Sequence, residues 1–189
     1  MQHVDAPTLS FLARRRSHPP RTLCEPAPSR QQLADLLALA ARVPDHGKLE
    51  PWRFVVIERA ALDRLAPALA AHVAAAGGDE AAVEKARSAF GSPLVVAVVS
   101  SPVAHPNVPE WEQLLSAGAV CLSLVNAALA AGHGAAWLTG PAADPAFARA
   151  HLGLAPHERV AGLIHIGSRG PAPVPERPRP DVPARTTFL

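Results

Sequence analysis

Tyrosine is absent from this 189-residue chain, which has one methionine, two cysteines and only 4% aromatic residues. So few large rings leave a core short of bulky anchors. Close helix packing through alanine, and burial shared with a second copy, are therefore expected. Two cysteines exclude a disulfide framework. Cys121 lies in the run Ala119-Val120-Cys121-Leu122-Ser123-Leu124, where a reduced core thiol is expected. Charge is also sparse: 18% of residues, net +2 with nine histidines counted neutral. That is too mild to recruit nucleic acid. No apolar run is long enough to suggest a bilayer span, and the N-terminus lacks the charged-then-apolar order of a secretory leader. A cytoplasmic protein without membrane contact is expected. The histidines show no ligand spacing, so no metal site is expected either.

Proline, by contrast, is plentiful, with 21 residues. Two prolines bound the stretch Arg42-Val43-Pro44-Asp45-His46-Gly47-Lys48-Leu49-Glu50-Pro51-Trp52-Arg53-Phe54. Each ring fixes φ, so the path between them is defined, and it is crowded with charge. A rigid polar loop on an apolar scaffold is where binding chemistry concentrates.

Around this loop the pattern is α+β. Residues 7–16 read as a helix ending in Arg14, Arg15 and Arg16, followed by Ser17. Those arginines either offset the helix dipole or, with Ser17, clamp a phosphate; on this segment alone the dipole suffices. Ser29 and Gln32 form a capping box for a helix over 30–42. Strand 53–58 precedes an alanine-rich helix over 60–76, stopped by Gly77-Gly78. Asp79 caps a further helix. Leu94–Val99 is apolar on both faces, the mark of a central strand. The longest helical pattern, 111–131, is apolar almost all round, which demands burial on every side by the fold or a partner. A short strand follows near Trp137-Leu138-Thr139-Gly140, then a helix begun by Asp144-Pro145, then strand 159–166. The whole chain reads as one domain, with the Pro-rich residues 170–189 as an extended arm carrying Arg177, Arg179 and Arg185.

Tempting motifs fail on context. Gly132-x-Gly134 follows a helix rather than a strand, and Gly167-Ser168-Arg169-Gly170 lacks the Lys-Ser/Thr of a phosphate loop. Trp52 reads as a packing residue.

Taken in order, Arg15-Arg16-Ser17, the Pro44–Trp52 loop and Trp137-Leu138-Thr139-Gly140 resemble the FMN-dependent nitroreductase family over nearly the whole chain. The likeness is greatest to a compact branch with Pro-Asp-His before Pro-Trp-Arg-Phe. It implies an α+β fold: a mostly antiparallel central sheet flanked by helices, with a long buried helix. It also implies a homodimer holding two flavins at the subunit interface. By this likeness Arg15, Arg16 and Ser17 hold the FMN phosphate, and Arg42 and His46 contact flavin, the partner's in particular. Trp137, Leu138 and Thr139 present backbone to the ring. The activity implied is hydride transfer from NAD(P)H through FMN to a nitroaromatic or quinone, by a ping-pong scheme with no catalytic side chain. A non-turnover flavin carrier or sensor, another reductive reaction, and a cofactor-free scaffold are the alternatives. The chain departs from larger relatives in placing Asp45, Lys48 and Glu50 at Ser, Asn and Gln positions. It also has Pro19 where many carry a base, with Arg21 and Arg42 as substitutes for that charge.

Overall fold

In a computed structural model, residues 5–189 are described. Residues 1–4, the start of the expected domain and of the N-terminus argued to lack a leader, lie outside them. Helix α1 (Ala6–Arg14) leads by a tight turn to strand β1 (Leu23–Cys24) and helix α2 (Arg30–Ala40). The polar loop then enters β2 (Trp52–Glu58), followed by α3 (Arg59–Ala75), α4 (Glu80–Arg87) and β3 (Leu94–Ser100). Helix α5 (Glu110–Ala130), β4 (Gly134–Leu138), α6 (Pro145–Leu152) and β5 (Arg159–Arg169) complete the order.

All strand pairs are antiparallel. β2 pairs β3, β3 pairs β5, and β5 carries both β4 and β1 along its other edge. Every residue of β3 is buried, as its two-faced apolarity requires. Its side chains alternate between two layers: Val95, Ala97 and Val99 meet α3, α4 and α6, while Leu94, Val96 and Val98 meet α2 and α5. The α+β architecture with an antiparallel sheet between helices is therefore present.

The capping box at α2 forms in both directions, Ser29 Oγ accepting from Gln32 N and Gln32 Oε1 from Ser29 N. Cys121 is fully buried, and burial pushes its thiol up to about 12, where it stays protonated. A bidentate pair fastens β2 to the α6–β5 turn: Arg53 donates to both Glu158 oxygens at 2.7 and 2.6 Å.

Three points of that reading need correcting. Helix α1 ends at Arg14, and Arg15 turns extended (ψ 135°), so Arg15 and Arg16 lie beyond the last turn. β1, too short for periodicity to register, exists because Leu23 and Cys24 pair with Arg169 and Ser168 of β5. Helix α5 is covered by its own chain on only part of its circumference, and Trp111, Leu115 and Leu122 remain 62%, 64% and 48% exposed along one stripe, the side that the reading of the sequence left open to a partner. That helix is also long and apolar enough to cross a bilayer by length and composition, which the reading of the sequence excluded. Half of it is buried within the fold, as in a core helix.

Candidate functional site

The arginine corner reaches its position through the backbone. After α1 the chain runs extended, and His18 N–H donates to the Ala135 carbonyl of β4 at 2.9 Å. This bond sets Arg15-Arg16-Ser17 beside the tip of β4, two segments more than a hundred positions apart. Together they line a cavity of about 540 Å³ bounded by Arg15, Arg16, Ser17, Trp137 and Leu138. The size suits a cofactor or small ligand.

The corner is strongly cationic. Arg15 Nη2 donates to Ser17 Oγ at 3.4 Å, and Arg16, mostly buried at 15% side-chain exposure, faces the arm. Among the described residues, Arg15 Nε and His18 Nδ1 are buried without a hydrogen-bond partner. Burying such groups costs free energy until a partner arrives, and Arg15 Nε–H calls for an acceptor. His18 adds no charge near neutral pH, since burial and the Arg169 charge hold its imidazole below the usual range. Arg16 already holds an anion: its Nη1 donates to Glu176 Oε1, and its Nη2 to the Pro175 carbonyl, each at 2.5 Å. A carboxylate thus stands on the guanidinium where phosphate oxygens fit equally well. Orphaned polar groups, a carboxylate stand-in and a cavity of this size fit a phosphorylated cofactor.

The indole of Trp137 lies against β5 at Gly162, where that strand has no side chain. A Cβ at Gly162 would collide with the indole Nε1, and a Cβ at Gly118 of α5 would come 3.9 Å from the far edge of the ring. By the β4–β5 register Trp137 shares the α5 side with Ile164, and Leu138 the opposite side with Leu163. Thr139, just past the strand, falls on the wall of a neighbouring cavity.

The polar loop is rigid, as expected. Asp45 carboxylate oxygens accept from Leu49 N at 3.2 Å and Glu50 N at 2.7 Å, pinning a path that takes Gly47, Lys48 and Glu50 to positive φ. Two bonds brace it on α5: Ser116 Oγ donates to the Pro44 carbonyl at 2.9 Å, and His46 Nδ1 lies 2.7 Å from Glu112 Oε2. Trp52 packs there, its indole donating to Ser116 Oγ at 3.2 Å. Arg42 and His46 are exposed and do not line the arginine cavity. The structure therefore unites Arg15, Arg16, Ser17, Trp137 and Leu138, sets Thr139 next door, and leaves Arg42 and His46 apart.

The arm supplies what the sequence reading left without a role. Arg177 and Arg179 line the same cavity, and Glu176 bridges Arg16 and Arg179, the latter at 2.8 Å. Only their charge in a proline-rich tail hinted at this.

The α+β fold thus carries, where a strand tip meets an arginine corner, a cationic cavity of nucleotide size between its antiparallel sheet and the C-terminal arm. Residues 12–168 match the Nitroreductase family, and the chain belongs to it. It is 36% identical over 161 residues to YdjA of Escherichia coli K12, named by inference as an NAD(P)H nitroreductase, covering 85% of this chain and 87% of that protein. A Haemophilus influenzae protein with the same kind of name is 35% identical over 162 residues, covering 85% and 87%. The fold matches a nitroreductase-like family protein from Bacillus cereus at a TM-score of 0.80 and 21% identity, covering 100% of this chain and 98% of that one. It also matches a Bacteroides fragilis nitroreductase solved with bound FMN, at 0.75 and 20% identity, covering 96% and 97%.

Proposed function

We propose that this chain is an FMN-dependent oxidoreductase that carries reducing equivalents from NAD(P)H to a small acceptor such as a nitroaromatic or quinone. The observation that carries the reading is the corner itself: Arg15 and Arg16, one with an orphaned donor and the other holding a carboxylate, are locked beside the β4 tip by the His18–Ala135 bond. In this reading Arg15, Arg16 and Ser17 hold the FMN phosphate, since desolvating a dianion requires paired cations. Trp137, Leu138 and Thr139 border the ring and exclude water from it. Bound FMN supplies the redox chemistry, taking a hydride and releasing two electrons, and no side chain of this chain serves as nucleophile or base. Donor and acceptor visit one cavity in turn, which makes the kinetics ping-pong.

The working unit in this reading is a homodimer. Arg42 and His46 stand away from the cavity of their own chain, so they serve the flavin of a second subunit. The stripe of Trp111, Leu115 and Leu122 is the surface such a subunit would cover. Residues 170–189 act as an arm on a single domain, and the cytoplasm, where NAD(P)H is regenerated, is the compartment.

Absorbance spectra of the purified protein, with and without NADPH under argon, test the reading. A yellow protein that bleaches on addition of the donor is expected. Protein that takes up no added FMN refutes flavin binding, and yellow protein that never bleaches refutes turnover.

A further inference from the structure

A second cavity, of about 530 Å³, opens on the opposite side of the β4 tip. It lies between β5, the α3–α4 pair and the Pro19–Arg21 turn, and it shares only Pro19, Pro20 and Leu138 with the arginine cavity. Its walls are apolar, with Leu69 and Val73 from α3, Ala86 and Phe90 at α4, and Leu163 from β5. The volume is that of a small-molecule site.

Two polar features differ in kind from that wall. One is His165, 2% exposed, which lines the cavity. Its Nδ1 lies 2.8 Å from the buried Ser92 hydroxyl, which fixes the ring. Nε2 is the nitrogen left for the cavity, and among the described residues it has no hydrogen-bond partner. Burial pushes this imidazole down to about 4, so at neutral pH it offers a hydrogen bond without charge. The other feature is the pair Arg21 and Lys85, both exposed and therefore at the opening. Neither has an ion pair among the described residues, and no Asp or Glu lines the cavity.

We propose that this cavity binds a small amphipathic monoanion: a flat apolar body, an anionic group paired with Arg21 and Lys85 at the mouth, and an uncharged hydrogen-bonding group reaching His165. Hydroxyaryl carboxylates have this chemistry. Cations are disfavoured by the two bases at the opening. A dianion with a charge at each end is disfavoured because its inner charge would be buried beside a neutral imidazole. Neither Arg15 nor Arg16 lines this cavity, but Leu138 and Thr139 do, so in the proposed function its ligand lies next to the flavin ring rather than at the phosphate.

Isothermal titration of the purified protein with 3-(4-hydroxyphenyl)propionate tests it, alongside the methyl ester, which lacks the charge, and 3-phenylpropionate, which lacks the hydroxyl. One site per chain is expected, weakened about tenfold by esterification and several-fold by loss of the hydroxyl. The variant Lys85→Glu changes only an exposed side chain that has no part in the arginine cavity. It should bind the acid several-fold more weakly while its affinity for the ester, its melting temperature and its FMN affinity stay as in the parent. The proposal is overturned if millimolar acid gives no binding, if Lys85→Glu binds the acid like the parent, or if Arg16→Ala weakens the acid as it weakens FMN, which would seat the acid in the arginine cavity instead.

Discussion

Arg16 and Glu176, 160 positions apart in sequence, form an ion pair at 2.5 Å that ties the C-terminal arm across the arginine corner. The same guanidinium is the one a phosphate would use. Arm and cofactor therefore compete for it, and Glu176 has to swing aside or be re-paired by Arg179, which already touches it.

Removing the competitor should help the ligand. Glu176→Gln is expected to tighten FMN binding several-fold, measured by quenching of flavin fluorescence. Arg16→Ala should weaken it on the order of 10- to 100-fold, the worth of one charge-assisted contact. Unchanged affinity in both variants would detach this corner from the cofactor.

The α5 stripe makes a prediction about assembly. Leu122 is half exposed in a single chain, so Leu122→Arg leaves the subunit fold intact. Sedimentation should show the proposed dimer for the parent and a monomer for the variant, and the monomer should lose flavin, since in the proposed function Arg42 and His46 act across the interface. A holo-dimer from this variant would remove α5 from the interface.

Gly162 carries the indole of Trp137. In Gly162→Ala the new methyl collides with Nε1 and lies 2.9 Å from Cys121 Sγ. The ring must lift into the cavity, at a cost of about 1–3 kcal/mol in stability. A lower melting temperature, shifted tryptophan emission and weaker FMN binding are expected together. A variant indistinguishable from the parent would show the indole free to move.

Acid should destabilise the fold in two stages. His165 titrates near 6.5 unfolded but about 4 folded, because burial opposes its charge. As pH falls from 6.5 towards 4 the unfolded chain gains a proton that the native state refuses, so stability drops, then levels off. Glu158 is held at about 2 by its bonds from Arg53, against 4.5 unfolded. Its contribution is complete above 4.5 and is lost as pH falls towards 2. Glu158→Gln should remove the lower stage alone, read from melting temperature against pH.

Much of the fold was legible because the signals were local. Ser29 and Gln32 announced α2, and a strand apolar on both faces, Val95 to Val99, had to be central. Asp45 between two prolines marked a loop that proved to be braced. What sequence could not show was contact between distant segments. Two residues, Leu23 and Cys24, have no period to read and are a strand only because β5 offers an edge. Arg15 and Arg16 looked helical because nothing nearby reports that His18 will bond to Ala135. For the same reason the arm's arginines and Glu176 had no assignable role: their partners are contributed by the opposite end of the chain.

The loop after α2 keeps its course through Asp45, three left-handed residues and the His46–Glu112 contact, while the side chains of Lys48 and Glu50 stand exposed. Its backbone is a fixed mount with exchangeable fittings. Variation at those two places can retune what docks there while the mount stays still. Libraries aimed at new acceptors therefore belong at Lys48 and Glu50, restricted to residues that tolerate positive φ such as Asn, Asp and Gly, with Asp45, His46 and Gly47 left untouched.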